Sequence, residues 1–231
     1  MTDVNKKLLD EIRKRNPNIE EIKNLIESGA NINYKDSYGN SPIILASKNG
    51  HANIVNMLLS MDADPNDKDR YGDSPIILAS KYGYANIVDM LLSEGVNPND
   101  KDKYGRTPIM FASLEGHPDV VELLLSREEV NPDDKDSNGN SPILWASGNG
   151  HKRVVELLLS SGADPNNPDK LNNTAIMLAS AKGHLDIVEL LLSKGLGSGV
   201  KKRRNRKSNK RKSRKNKRKS RKNKRKSSKN K

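Results

Sequence analysis

Histidine is the side chain best placed to exchange protons near neutral pH, and the chain has 4. His51, His117, His151 and His184 each follow directly on a glycine, at intervals close to a fixed period, with Tyr84 holding the same place after Gly83. A catalytic or metal-binding group is not expected at one scaffold position in successive stacked units. The expected role is a hydrogen bond that steadies a turn. Asp62, Asp64, Asn66 and Asp69 have a spacing that suggests calcium, but an EF-hand loop needs glycine at its sixth place and glutamate at its twelfth. Those places hold Asp67 and Asp73. The aspartates therefore read as turn residues. The absence of cysteine excludes disulfides, thiolate catalysis and cysteine-based zinc sites. No Walker-type phosphate loop, G-x-S-x-G elbow or H-E-x-x-H helix is present. The reading is of a protein that is not an enzyme, with no catalytic residue, metal, cofactor or small-molecule substrate.

What positions these residues is a repeat. The stretch DSYGNSPIILASKNGHANIVNMLL, from Asp36 to Leu59, returns with leading aspartates at 69, 102, 136 and 169, steps of 33, 33, 34 and 33 residues. A period of that length marks a stacked solenoid. Each unit follows one script. Asp36–Asn40 is a turn whose Gly39 suits positive φ. Ser41 is expected to cap a helix with Pro42 at its first position. Ile43, Leu45 and Ala46 face inward, Gly50 ends the helix, and a second amphipathic helix carries Ile54, Val55, Leu58 and Leu59. An extended ADPNDKD segment leads on. Residues 1–35 form a capping unit: Val4, Leu8, Leu9 and Ile12 make an apolar stripe, while Lys6, Lys7, Asp10, Glu11, Arg13 and Lys14 stay outside. Asn16–Pro17 breaks that helix, and Gly29 ends the next.

The pattern DxxGxSPIxxASxxGHxxIVxxLLxxGADPN, five times in register, resembles the ankyrin repeat. The resemblance covers residues 1–195: a cap at 1–35 and repeats at 36–68, 69–101, 102–135, 136–168 and 169–195. It implies an all-α fold, a solenoid of stacked antiparallel helix pairs whose turn tips line a concave groove, and a scaffold that binds another protein. Three departures stand out. Where many such repeats carry histidine, this chain has Ile44, Ile77, Met110, Leu144 and Met177, so apolar packing must hold that layer. The third repeat has one residue more and lacks a glycine, which should distort the connection near Arg127–Val130. In the fifth, Asn172 replaces the turn glycine and Ala175 the proline. The turn should be weaker but kept, because asparagine tolerates left-handed φ.

Carried over by repeat position, the family's contacts fall on turn tips and first-helix ends: Tyr38; Arg70, Tyr71 and Asp73; Lys81 and Tyr82; Lys103, Tyr104 and Arg106. Tyr38, Tyr71 and Tyr104 make a row on successive tips, and tyrosine and arginine are enriched among binding hot spots. The competing reading is that tyrosine only packs between turns. Phe111 and Trp145 occupy the inward place of Leu45 and Leu78 and read as core. The second helix of the last repeat is as apolar as the internal ones, so some apolar surface should face solvent there. A partner, a second copy or the tail would cover it.

The formal charge of +13 hides a division: between Val200 and Lys231 there are 21 Lys and Arg and no acid, and the remainder holds 21 basic and 29 acidic residues. LGSGV at 196–200 reads as a hinge, and the segment beyond it as disordered, since it has no apolar residue. The run Lys201, Lys202, Arg203, Arg204, Arg206 and Lys207 fits an import signal or sequence-blind polyanion binding. A nucleic-acid-associated protein whose tail is the active part, with repeats that only recruit, is the alternative. An anionic membrane surface ranks below these, and a low-complexity expansion without a role stands beside them. Ser208, Ser213, Ser220 and Ser227 suit basophilic kinases, and tail folding onto the acidic body is a further option. With no membrane-length apolar run and no secretion signal, the protein reads as soluble and intracellular, in the nucleus or nucleolus or otherwise the cytoplasm.

Overall fold

Proline at a helix start and glycine just past a helix end bracket most first helices of the stack. In this computed structural model, which describes residues 2–194, the described residues form twelve helices. The first two are α1 (Thr2–Arg13) and α2 (Ile19–Glu27). Four pairs follow: α3 (Pro42–Asn49) with α4 (Ala52–Ser60), α5 (Pro75–Lys81) with α6 (Ala85–Ser93), α7 (Pro108–Glu115) with α8 (Pro118–Leu125), and α9 (Pro142–Gly148) with α10 (Lys152–Ser160). Then come α11 (Ala175–Lys182) and α12, residues 185–194. No strand is formed among the described residues. The chain is an all-α stack of helix pairs. Its tail, from 195 on, lies outside the described residues.

The chain divides after Ile187, and the stack belongs to the unit ending there. First helices pack in one row, α1–α3–α5–α7–α9–α11, and second helices in another, α4–α6–α8–α10. An internal first helix has neighbours on both sides as well as its own partner. Pro42 to Ser47 are accordingly all buried, as expected for a helix apolar around its circumference. The second helices bury one stripe only, such as Ile54, Val55 and Leu58, and Leu59 is half-buried. Ile44, Ile77, Met110 and Leu144, at the place expected to hold histidine, are at most 1% exposed. Apolar packing holds this layer in the first four repeats, whereas Met177 in the fifth is 55% exposed.

Several local expectations are corrected. Ser41 has the extended backbone of a cap residue but its side chain makes no capping bond. The hydroxyls of Ser41, Ser74, Thr107 and Ser141 are buried without partners. Pro42 and the preceding turn already fix how the chain enters the helix, and the Ser41 carbonyl accepts the first helical bond from Leu45 at 3.0 Å. Glu11 is buried, not outside: its Oε1 accepts the Asn18 amide at 2.9 Å and its Oε2 pairs with Lys14. It ties the end of α1 to the start of α2. The Asn18 amide first, then Lys14, holds its carboxyl below the usual range.

In the third repeat α8 ends one residue earlier than α4, α6 and α10. Elsewhere the chain closes with a six-residue bond, as from Ala63 N to Leu58 O at 3.0 Å; here two short turns replace it, ending in Val130 N to Arg127 O at 3.1 Å. The expected distortion is real. Asn172 keeps its turn at φ 63°. Unforeseen was Asp62, which takes φ 61° where other repeats place Gly29, Gly95 and Gly162.

Candidate functional site

Each turn tip is built around one aspartate. Asp36 Oδ1 accepts the amides of Tyr38 and Asn40, both at 2.8 Å, and Asp69, Asp102, Asp136 and Asp169 do the same at 2.8–2.9 Å. These bonds consume the acidic groups of the tips and push residues 38, 71 and 104 outward. Successive tips are then joined by single backbone bonds: Arg70 N to Tyr38 O (3.0 Å), Lys103 N to Tyr71 O (3.2 Å), Ser137 N to Tyr104 O (2.9 Å) and Lys170 N to Asn138 O (3.1 Å). The row has a fixed spacing because its backbone is tied from tip to tip.

On this rail Tyr38, Tyr71 and Tyr104 are 53%, 49% and 58% exposed, and Tyr82 is 41% exposed. They are neither packed away nor isolated. The Arg70 guanidinium lies between two rings, 4.5 Å from the centre of Tyr38 and 4.7 Å from that of Tyr71, and donates to the Tyr71 hydroxyl. Arg106 lies 5.1 Å from Tyr104 and 4.4 Å from Phe111, and Lys81 lies 5.8 Å from Tyr82 and 5.6 Å from Phe111. A cation over an aromatic face is worth about 0.5–1 kcal/mol at exposed sites. Arg106 is also held by Asp102, its Nε 2.7 Å from Oδ2. Phe111, 1% exposed, is core as expected. Its second role, a floor under two cations from neighbouring repeats, was missed in the sequence. Trp145 is only half-buried, and its Nε1 is shielded without a partner. The larger indole does not fit the slot that Leu45 and Leu78 fill.

Eight of the nine expected contact residues reach the surface: Tyr38, Arg70, Tyr71, Tyr82, Lys103 and Tyr104 are exposed, and Lys81 and Arg106 half-buried. Asp73 is 7% exposed. Burial first, then the neighbouring Asp69, pushes its carboxyl above the usual range, with Lys81 and Arg106 pulling the other way. The run from Lys201 to Lys207 lies outside the described residues.

Three of the four histidines are spent on the stack. Nε2 of His51, His117 and His151 bonds the backbone carbonyls of Lys14, Lys81 and Leu114 at 3.1, 3.0 and 2.9 Å. Each bond crosses to the end of the preceding unit's first helix. A cleft of about 410 Å³ lies where the cap meets α4, lined by Arg15, Pro17, Ile19 and His51 among others. Its histidine is already engaged with Lys14. No group of three or more acidic or histidine side chains among the described residues is placed to hold a metal ion, and no helix there is long and apolar enough to cross a membrane.

No curated protein sequence matches the chain. Family models do. Ankyrin repeats (3 copies) match residues 62–136 and 128–205, and ankyrin repeats (many copies) match residues 25–79. The chain belongs to the ankyrin repeat family, whose members are generally non-catalytic scaffolds for protein–protein interaction.

Proposed function

We propose that this protein is a non-catalytic scaffold that binds another protein through the turn tips and first-helix ends of its first three repeats, with Tyr38, Arg70, Tyr71, Lys81, Tyr82, Lys103, Tyr104 and Arg106 in the contact. The carrying observation is the Tyr38–Arg70–Tyr71 sandwich on a hydrogen-bonded rail. It holds two half-exposed rings and a cation in place, so little rotamer freedom is left to lose on binding. Asp73 belongs to the site as the buried charge beside Lys81 and Arg106. The basic segment from Lys201 places the scaffold near nucleic acid or an import receptor. Its 21 cations without an acid also support the second reading, a sequence-blind nucleic-acid binder whose repeats recruit.

One comparison separates the two. The full chain, a Tyr71→Ala/Tyr104→Ala variant and a chain lacking residues 201–231 are each used to capture proteins from cell extract. The double variant should lose at least one captured protein while its thermal midpoint stays within about 2 °C, since truncating exposed side chains usually changes stability little. The tail-deleted chain should retain it. Capture that survives the double change but vanishes with the tail supports the second reading.

A further inference from the structure

We propose that the partner presents an acidic, carboxylate-bearing peptide segment to the tips of repeats 1–3, with one of its carboxylates seated on Arg70. This rests on the tip-binding reading above and adds the chemistry of the partner.

The argument is one of charge segregation. Outside the tail the chain carries 21 basic and 29 acidic residues. On the tips and first-helix ends of repeats 1–3 the balance is reversed. The fully exposed charged side chains there are Lys48, Arg70, Lys103 and Glu115; Lys81, Arg106, Asp36 and Asp69 are half-buried, and Asp73 and Asp102 are buried. The acids of the same turns are committed, since Asp36, Asp69 and Asp102 each accept two backbone amides. Arg106 is neutralised by Asp102. Arg70 is not: its contacts are the two tyrosine rings and the Tyr71 hydroxyl, and among the described residues no carboxylate pairs with it. A guanidinium held over two rings keeps its planar fork of N–H groups, the geometry that a carboxylate accepts with two parallel bonds. Complementary charge is what selects a partner and speeds its arrival at such a face.

Two other occupants fit less well. The chain's own tail is repelled, because it brings 21 cations and no acid to a cationic face. Single-stranded nucleic acid would need open aromatic faces for its bases. Tyr38 and Tyr71 each have a face taken by Arg70, and Tyr104 by Arg106.

The test uses the full chain and a phage-displayed library of random 12-residue peptides, selected in parallel on the wild type and on Arg70→Glu/Lys103→Glu. The tail is the same in both, so its contribution cancels. Wild type should enrich Asp- and Glu-rich peptides containing an apolar residue. One such peptide, made with a fluorophore and measured by anisotropy, should bind the charge-reversed variant at least about tenfold more weakly. The thermal midpoint should be unchanged. Acidic peptides enriched equally on both proteins would assign them to the tail and overturn the proposal. Neutral or basic peptides that depend on Tyr71 and Tyr104 would overturn it while leaving the tip-binding reading intact. Peptides indifferent to every tip residue would sink both. A fluorescent dT oligonucleotide whose binding falls with Arg70→Glu, in place of any acidic peptide, would also overturn it and point to nucleic acid.

Discussion

Asp73 is the residue that fits its turn least well. At the same place Asn40, Asn140 and Asn173 donate Nδ2 to the turn aspartate at 2.9, 3.3 and 2.9 Å, and Arg106 donates Nε at 2.7 Å. Asp73 instead brings a second carboxylate beside Asp69, and its Oδ1 is buried without a partner. Its proton is held more tightly folded than unfolded. Stability therefore falls as pH rises from about 3.9, the unfolded value, through the raised folded value, above which the penalty is complete. Asp36 and Asp169 behave in the opposite way. Burial works against their charge, but the side-chain and amide donors of Asn40 and Tyr38, or of Asn173 and Leu171, outweigh it and hold both carboxyls low. Their contribution is complete above about pH 3.9 and is lost as pH falls through their folded values. Asp73→Asn should gain the missing bond, about 1 kcal/mol, and raise the thermal midpoint at pH 7 by about 2–4 °C. At pH 3.5 the gain should be smaller. Melts showing an equal gain at both pH values would mean that the charge carries no cost.

At the scale of the element, the glycine that ends a first helix serves two purposes, and a matched pair of substitutions separates them. Gly83 and Gly95 share φ +78°, so alanine at either meets the same left-handed strain of about 1–2 kcal/mol. A Cβ on Gly95 would meet nothing within 4 Å, whereas one on Gly83 would lie 2.6 Å from His117 Nδ1. Gly83→Ala should therefore cost at least about 1 kcal/mol more than Gly95→Ala, the price of overpacking. Urea unfolding of the two variants measures the difference, and equal losses would show that the ring moves aside freely. The turn role of Gly83 was legible, because a glycine between a first and a second helix has one conformational meaning. The contact with His117 was not, because it joins residues of different repeats, and a single repeat says nothing of its neighbour. The same holds for Arg70, whose two rings are one residue and 32 residues away. Asp62 was illegible for another reason. Aspartate at a helix end is usual in several conformations, and only the completed bond from Ala63 N to Leu58 O fixes the left-handed one.

The whole stack rests on neighbours, and its edges show what a neighbour contributes. Loops are linked one repeat apart by lysines: Lys68 Nζ reaches Lys101 O at 2.9 Å, and Lys135 Nζ reaches Pro168 O at 2.6 Å. Where the extra residue of the third repeat shifts the register, Asn99 bonds Glu129 O at 2.8 Å instead. The period of the sequence disclosed the stacking of helix pairs, though not the contacts that join one repeat to the next. It also pointed to an uncovered apolar end, and Leu171, Met177 and Leu185 are 81%, 55% and 70% exposed. Met110 and Met177 turn that observation into a measurement. They are the same residue type at the same place in α7 and α11, yet Met110 is 1% exposed. The difference is that α7 packs between α5 and α9, whereas α11 has α9 on one side. Met110→Ala should cost about 2–5 kcal/mol, the range for emptying a core site. Met177→Ala should cost less than about 1 kcal/mol, as for a surface change. Denaturant unfolding of the purified chain at several concentrations reads both. A large loss at Met177 that shrinks as the protein is diluted would mean that a second copy supplies the missing neighbour. A large loss independent of concentration would mean that the chain covers its own end, and stacking on α9 alone would then be a wrong description of this edge.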